Sequence, residues 1–214
     1  MPTAPYVLLF APACILLIAL IWREAGRRGL PADRVAAETA ACPAGAVIGS
    51  KVLMFDFHVA EYGEKTFLGA VAGGMLTLGV VSRVLRFDAN ASDLPIVPVL
   101  WPAAVGRLGC FVAGCCHGIA TTLPWGVRYE SGSSAFRNHV ESGLLATGAA
   151  TSLPVHPTQL YEAALDVALA LLLTRTRHRF HRPGSLALAG VAGIAVIRFM
   201  VEPWRATGVP FAAG

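Results

Sequence analysis

Apolar residues gather in six segments along the chain, each close in length to a helix that crosses a lipid bilayer. The segments run over residues 5–22, 36–55, 66–82, 94–113, 157–174 and 184–201. A helix needs about 20 residues to cross the hydrocarbon core. One long polar stretch, rich in Gly, Ser, Thr and Ala, covers residues 119–155. The pattern predicts an all-α polytopic membrane protein with about six transmembrane helices, and 214 residues favour a single domain over 1–214.

Composition and the placement of basic residues extend this interpretation. The chain is 55% hydrophobic and 14% charged, with a mean hydropathy of +0.61, whereas soluble domains carry about 25% charged residues. Ten of the seventeen basic residues lie in the first, third and fifth links between the apolar segments. Because Lys and Arg favour the cytoplasmic side, both termini and the 119–155 loop are predicted to lie outside. A loop of this length can cover a site, and His139 within it is assigned no function.

Small residues recur four positions apart within three of the apolar segments. The pairs are Gly45 and Gly49, Gly69 and Gly73, and Ala189 and Gly193. This spacing lets helix backbones approach closely in lipid. It predicts helix packing and leaves the oligomeric state open.

Polar side chains also recur at the predicted outer ends of the spans, although placing a charged side chain within a membrane costs free energy. An arginine at the centre of a membrane helix costs about 2.5–3.5 kcal/mol on insertion scales, so a chain that keeps one there normally uses it. The groups that converge on the outer leaflet by this topology are Lys51, Arg107, His156, Gln159, Glu162, Arg198, Glu202 and Arg205. Guanidinium groups bind phosphate in a bidentate way. The arrangement therefore predicts a site for an anionic lipid head group.

Three cysteines close the fourth span within the stretch from Gly106 to Gly118. Cys110 and Cys115 would point about 140° apart on a straight helix. They meet only if the helix breaks at Gly114, which glycine allows. With Cys116 and His117 they offer nucleophilic, redox or soft-metal chemistry.

These residues together resemble the prolipoprotein diacylglyceryl transferase family. The order and spacing agree over about residues 5–205, through the motifs Gly-Arg-Leu-Gly (106–109), Leu-Pro-Trp-Gly-Val (123–127), His-Pro-Thr-Gln-Leu-Tyr-Glu (156–162) and Arg-Phe-Met-Val-Glu (198–202). Members move a diacylglyceryl group from phosphatidylglycerol to the thiol of a lipobox cysteine and release glycerol phosphate. The resemblance implies a multi-pass protein of the bacterial cytoplasmic (inner) membrane. Its implied partners are phosphatidylglycerol or another anionic phospholipid and a prolipoprotein signal peptide or another thiol acceptor, with no cofactor, no metal and no nucleic acid.

The resemblance also assigns roles to residues. Arg107 and Arg198 bind the lipid phosphate, Glu202 orients Arg198, and Gly118 leaves room for the lipid. The predicted catalytic residues are Arg107, Arg198, Glu202, His156, Cys115, Cys116 and His117. The predicted substrate-binding residues are Tyr6, Lys51, Cys110, Gly114, Gly118, Gln159, Tyr161, Glu162 and Arg205.

The chain departs from the family pattern at the residues that handle protons. The family has asparagine in place of Cys110 and typically glutamate in place of Cys115. Its essential histidine in the third span falls on Leu68 of Leu68-Gly69-Ala70. The general base is therefore left among His117, His156 and Glu162.

Three interpretations follow from this combination. The first is a diacylglyceryl or closely related phospholipid head-group transferase. The second is a transferase that moves lipid or sulfur groups with Cys115 and Cys116. The third is a non-enzymatic membrane protein that binds a soft metal through Cys110, Cys115, Cys116 and His117.

Overall fold

A computed structural model of the protein describes residues 3–52, 67–84, 93–145 and 148–206. Its α-helices are α1 (Thr3–Arg27), α2 (Ala32–Val52), α3 (Phe67–Val84), α4 (Ile96–Ala113), α5 (Ser134–Glu141), α6 (Thr158–Thr176) and α7 (Ser185–Val201). Within these ranges the structure has no β-strand, only isolated β-bridges. The all-α prediction is confirmed, and the described part of each of the six apolar segments lies largely within a helix. The additional helix, α5, lies inside the polar stretch over 119–155.

Two helical segments of the described chain are long and apolar enough to cross a membrane. They are Ile96–Ala113 and Ser185–Trp204. Large apolar side chains on both are exposed, including Val112, which is 58% exposed, and Phe199, which is 82% exposed. Exposed apolar surface of this kind marks a surface that meets lipid or another protein.

The chain divides into two compact units. One comprises Met1–Leu17, Val97–Arg177 and Ala189–Gly214, and the other comprises Ile18–Ile96 and His178–Leu188. In the second unit, a methyl group at Gly45 would overlap Thr77, and one at Gly73 would overlap the Gly45 carbonyl oxygen. The small-residue spacing therefore brings α2 and α3 into close backbone contact, as predicted.

The same unit holds the start of α7. The Asp93 carboxylate accepts hydrogen bonds from the Gly184 amide at 3.1 Å and the Ala187 amide at 2.7 Å. Amides in the first turn of a helix have no partner within the helix, and a carboxylate there also complements the helix dipole.

In the first unit, short segments that follow α4, precede α6 and follow α7 are joined by backbone hydrogen bonds. The Gly118 amide donates to the His156 carbonyl at 2.9 Å, and the Ile119 amide donates to the Trp204 carbonyl at 2.9 Å. Gly118 also forms an antiparallel bridge with Arg205. These bonds bring the ends of three helices together, and the candidate site lies on them.

The polar stretch over 119–155 has a small core of its own. Tyr129, Ala135 and Val155 are buried together, with Phe111 and Val127 packed against them. The rings of Phe111 and Tyr129 meet edge to face at 6.1 Å. This stretch is therefore packed onto the end of α4, where it adjoins the site.

Candidate functional site

Glu162, on the second turn of α6, is the centre of a group of ion pairs. Its Oε1 accepts hydrogen bonds from Arg198 Nη1 at 3.1 Å and from Arg205 Nη1 at 2.9 Å. Its Oε2 forms an ion pair with Arg107 Nε. The Glu162 side chain is 3% exposed, so its charge is balanced by these arginines rather than by water. Three arginines distant in sequence thus meet at one buried carboxylate.

Glu202 forms the outer side of the same group. Its Oε2 lies 3.3 Å from Arg198 Nε and 3.7 Å from Arg205 Nε. Three guanidinium groups against two carboxylates leave one net positive charge on these five linked groups. The arginines keep part of their surface open, with Arg198 31% and Arg107 19% exposed. The group therefore suits a singly charged anion such as a phosphodiester.

Two further polar residues of α6 are buried beside these charges. Gln159 is 1% exposed, and its Oε1 has no hydrogen-bond partner among the residues that the structure describes. Asp166, one turn beyond Glu162, is 8% exposed, and its charge interacts with Arg107. An unpaired buried acceptor costs about 1–3 kcal/mol, so the Gln159 oxygen offers a place for a hydroxyl group of a ligand.

Cys110 lies in the last turn of α4, and Cys115 and Cys116 lie in the turn that follows the helix. The helix stops at Ala113, and Gly114 takes a φ of +67°. The Cys115 amide then donates back to the Cys110 carbonyl at 3.1 Å. Cys116 has a φ of 54°, a conformation that a residue with a side chain rarely adopts and that costs about 1–2 kcal/mol. The predicted break at Gly114 is confirmed.

The first turn of α6 holds this cysteine turn in place. Thr158 Oγ1 donates to the Cys116 carbonyl at 3.0 Å, and Gln159 Nε2 donates to the Cys115 carbonyl at 2.6 Å. As a result, the sulfur atoms of Cys110, Cys115 and Cys116 all lie within 4.8 Å of one another. None of the three is in a disulfide, and Cys116 is exposed.

The thiols of the turn influence each other's ionisation. Hydrogen bonds from Cys110 and Cys115 lower the pKa of the Cys116 thiol, and the charges of Arg107 and Arg205 lower it further. Hydrogen bonds with Cys110 and Cys116 raise the pKa of the Cys115 thiol. Cys116 is therefore the thiol of this turn that ionises most readily, next to the arginine group.

His117 is buried, and both of its ring nitrogens have hydrogen-bond partners. Its Nδ1 lies 2.9 Å from the Gly118 carbonyl oxygen and its Nε2 lies 3.2 Å from Asn138 Nδ2 of α5. A neutral ring that donates from Nδ1 and accepts at Nε2 satisfies both contacts. The ring also packs edge to face on His139, with ring centres 6.1 Å apart. His117 is not part of the group of clustered thiols.

His139 has more structure around it than the sequence interpretation allowed. It is buried on α5, and its Nδ1 accepts a hydrogen bond from the Leu153 amide at 3.2 Å. Burial, and to a lesser extent the charge of His117, lowers the pKa of His139. His139 therefore ties α5 to the end of the loop, and no contact with the arginine group or the clustered thiols is seen for it among the described residues.

His156 belongs to an aromatic group at the start of α6. Its Nδ1 lies 3.3 Å from the Tyr161 hydroxyl, which accepts a hydrogen bond from Trp125 Nε1 at 2.8 Å. The ring of Trp204 lies 6.5 Å from the ring of His156. Burial lowers the pKa of His156, so its imidazole is neutral at neutral pH. A neutral imidazole can accept a proton.

Gly118 stands where these segments cross, and it leaves no space for a side chain. A methyl group there would overlap the Trp204 carbonyl oxygen and both Cβ and the carbonyl oxygen of His156. We expect Gly118→Ala to lower the free energy of unfolding by about 1–3 kcal/mol, the usual cost of overpacking. Unfolding in detergent measures it. The matched control is Gly26→Ala, since a methyl group at Gly26 meets nothing within 4 Å; equal stability of the two variants would contradict the close packing at Gly118.

The structure brings together most of the residues that the sequence singled out. Those that lie in the arginine group, the cysteine turn or the aromatic group are Arg107, Cys110, Cys115, Cys116, His156, Gln159, Tyr161, Glu162, Arg198, Glu202 and Arg205. Gly114 packs on Tyr129 and Ser133, so it shapes the turn. The side chains of Tyr6 and Lys51 lie outside what the structure describes.

The sequence interpretation missed several contributors. They are Thr158, which holds the cysteine turn; Asn138, which contacts His117; Trp125, which donates to the Tyr161 hydroxyl; Trp204, which lies beside His156; and the buried Asp166. Trp125 and Thr158 stand within quoted family motifs, and Asp166 stands one helical turn after Glu162. These three positions carried a signal that was available from the sequence.

Comparisons with known proteins agree with the motifs. A family model described as prolipoprotein diacylglyceryl transferase matches residues 2–213. The chain is similar to the phosphatidylglycerol–prolipoprotein diacylglyceryl transferase of Clostridium tetani, with 24% identity over 92% of this chain and 78% of that protein. It is 27% identical to the enzyme of that name from Geobacter sulfurreducens, over 94% of this chain and 76% of that one. It is 30% identical to the enzyme of that name from Vibrio vulnificus, over 74% of this chain and 57% of that one.

Proposed function

The chain belongs to the prolipoprotein diacylglyceryl transferase family, and from that premise we propose that it transfers the diacylglyceryl group of phosphatidylglycerol to a lipobox cysteine of a prolipoprotein. The observation that carries the proposal is the group of three arginines on the buried Glu162. Such a group is costly to bury, and its three guanidinium groups outnumber the two carboxylates that form ion pairs with them. A phosphodiester supplies the matching negative charge.

The arginine group would act on the leaving phosphate. Arg107 and Arg198 bind the phosphate oxygens, while Glu162 and Glu202 hold the two guanidinium planes in fixed directions. As the acceptor sulfur attacks the terminal glyceryl carbon, the carbon–oxygen bond breaks and negative charge grows on the phosphate. Preorganised positive groups stabilise charge that develops in a transition state more than charge already present. Gln159 Oε1 would accept a hydrogen bond from a head-group hydroxyl.

His156 is our choice for the acceptor of the thiol proton. Glu162 is held by three guanidinium groups, and taking a proton would remove the charge that balances them. Both ring nitrogens of His117 already have partners. The imidazole of His156 is oriented by Tyr161. Among the described residues it balances no arginine, and its Nε2 remains to accept a proton.

For its place in the cell, we propose a multi-pass protein of the bacterial inner membrane with about six spans and both termini outside. The six helices at the predicted positions and the basic residues of the alternate links support this arrangement. It places the arginine group at the outer leaflet, where phospholipid head groups and the exported acceptor meet. No soluble cofactor is needed for a displacement of this kind.

The test is a transfer assay with purified protein, a lipobox peptide and either phosphatidylglycerol or phosphatidylcholine. We expect a diacylglyceryl thioether on the peptide and one glycerol phosphate released for each peptide modified. Phosphatidylcholine should react poorly, because its cationic choline is repelled by the net positive group. The control is the same peptide with serine in place of cysteine. No thioether from phosphatidylglycerol, with folded protein, would overturn the proposal and favour transfer to a different acceptor by Cys115 and Cys116.

A further inference from the structure

The three clustered thiols are not explained by the binding of a lipid phosphate. Cys110, Cys115 and Cys116 place their sulfur atoms within 4.8 Å of one another. Zinc binds thiolates at about 2.3 Å, so three sulfurs around one such ion lie roughly 3.8–4.0 Å apart. The thiols are therefore close to the spacing that a single soft metal ion requires. We propose that they bind one Zn²⁺ ion, and that the acceptor thiol occupies its fourth position, an inference that rests on the proposed function.

The backbone of the turn is held in the conformation that assembles these sulfurs. Cys116 is kept at a φ of 54°, while Thr158 and Gln159 fix the carbonyls of Cys116 and Cys115. Strained conformations persist only where the surrounding structure enforces them, and they concentrate at functional sites. The end of α4 and the turn that follows it therefore already place the three sulfur atoms within 4.8 Å of one another.

The set of ligands leaves one coordination position open. His117, the neighbouring residue with a suitable donor, is occupied with the Gly118 carbonyl and Asn138. Structural zinc sites have four protein ligands, whereas catalytic sites have three and keep the fourth position for water or substrate. Cys116 is exposed, so the open position is accessible from outside the protein. All-sulfur ligands favour zinc and other thiophilic ions over magnesium or calcium.

The positive charge of Arg107 near the cysteine turn complements the negative charge of a zinc ion bound by three thiolates. Three thiolates and one Zn²⁺ carry one net negative charge, and Arg107 stands one helical turn before Cys110. Arg107 also belongs to the arginine group through its ion pair with Glu162. The metal and the lipid phosphate would therefore be neighbours, with Arg107 between them.

The proposed step balances without a further reactant. The acceptor thiol binds Zn²⁺ as a thiolate, since coordination deprotonates a thiol, and its proton passes to His156. The sulfur electron pair forms the carbon–sulfur bond as the carbon–oxygen bond of the lipid breaks, and that bonding pair leaves on glycerol phosphate. The proton on His156 goes to solvent or to the released phosphate. No atom is oxidised or reduced.

Metal binding can be measured independently of transfer. Purified protein is loaded with Zn²⁺ or Co²⁺, passed through a desalting column, and analysed for bound metal by mass spectrometry and for sulfur-to-cobalt charge-transfer absorption. We expect one metal per chain and at least a 100-fold loss of affinity in each of Cys110→Ser, Cys115→Ser and Cys116→Ser. The matched control, Cys14→Ser, should bind as the wild type does. Less than one tenth of a metal per chain in the wild type, or equal loss in Cys14→Ser, would overturn the site.

The open position has its own test on the wild-type protein. Adding the lipobox peptide to the Co²⁺-loaded protein should increase the charge-transfer absorption as a fourth sulfur binds, and the serine peptide should leave it unchanged. No change with the cysteine peptide would overturn the assignment of the fourth ligand. Transfer that is unaffected by chelation would remove the metal from the reaction and leave the proposed function intact. A bound metal without any transfer would leave the site intact and overturn the function.

Discussion

Glu162→Gln is expected to lower the free energy of unfolding by about 3–5 kcal/mol, the cost of removing one partner from a buried ion pair. The glutamine keeps the shape of the side chain but removes the one carboxylate that pairs with all three guanidinium groups, so that Glu202 is left to pair with Arg198 and Arg205, and Asp166 to interact with Arg107. The loss of these ion pairs acts on the ends of α4 and α7 together, because Arg107 and Arg198 lie on these helices. Chemical unfolding in detergent, followed by circular dichroism, measures the loss.

The control for this prediction is Glu141→Gln at the exposed end of α5. It removes the same charge without disturbing the arginine group, and we expect a change within about 0.5 kcal/mol, as for other surface substitutions. If Glu162→Gln and Glu141→Gln are equally stable, the three arginines are not balanced by Glu162 and the description of the site is wrong.

Arg107→Gln is expected to reduce kcat/KM for phosphatidylglycerol by about 10²–10³, the usual effect of removing one preorganised donor from a developing negative charge. Arg107→Lys should recover only part of the activity, because an ammonium group keeps the charge but cannot bind phosphate and Glu162 with one planar fork. Initial rates of thioether formation over a range of lipid concentrations give the values for both variants.

Arg175→Gln serves as the matched control, since Arg175 lies exposed in the last turn of α6. It should transfer at the wild-type rate. If Arg107→Gln and Arg107→Lys behave alike and both stay within threefold of the wild type, Arg107 does not contact the lipid phosphate.

Local patterns were sufficient to predict the helices. The six apolar runs coincide with six helices, because apolar runs of this length are typical of helices rather than of strands. The family is also confirmed, since its motifs are short and their spacing was read directly. In contrast, α5 was missed: its eight residues, Ser134–Glu141, contain too few apolar positions to form a run. Its formation depends on the Ser133 N-cap and on burial of Ala135 and His139.

The sequence named most residues of the site but did not show that Glu162 is the carboxylate that the three arginines share. The resemblance implied that Glu202 orients Arg198, and the two side chains do form an ion pair at 3.3 Å, as residues four apart along a helix can. Glu162 was named as a substrate-binding residue and as a candidate general base, and not as the partner of Arg107, Arg198 and Arg205 that the structure shows it to be. These partners are 36 to 55 residues from Glu162 in sequence, and no helical periodicity connects them. Only the tertiary structure shows which carboxylate they share.

Binding of labelled phosphatidylglycerol to the purified protein, with free glycerol phosphate and with diacylglycerol as competitors, tests most directly whether the arginine group recognises a lipid phosphate. We predict saturable binding of one lipid per chain, displaced by glycerol phosphate and weakened at least tenfold in Arg107→Gln. Diacylglycerol, which has no phosphate, should compete poorly. Binding that diacylglycerol displaces as well as phosphatidylglycerol does, and that Arg107→Gln leaves unchanged, would contradict the account.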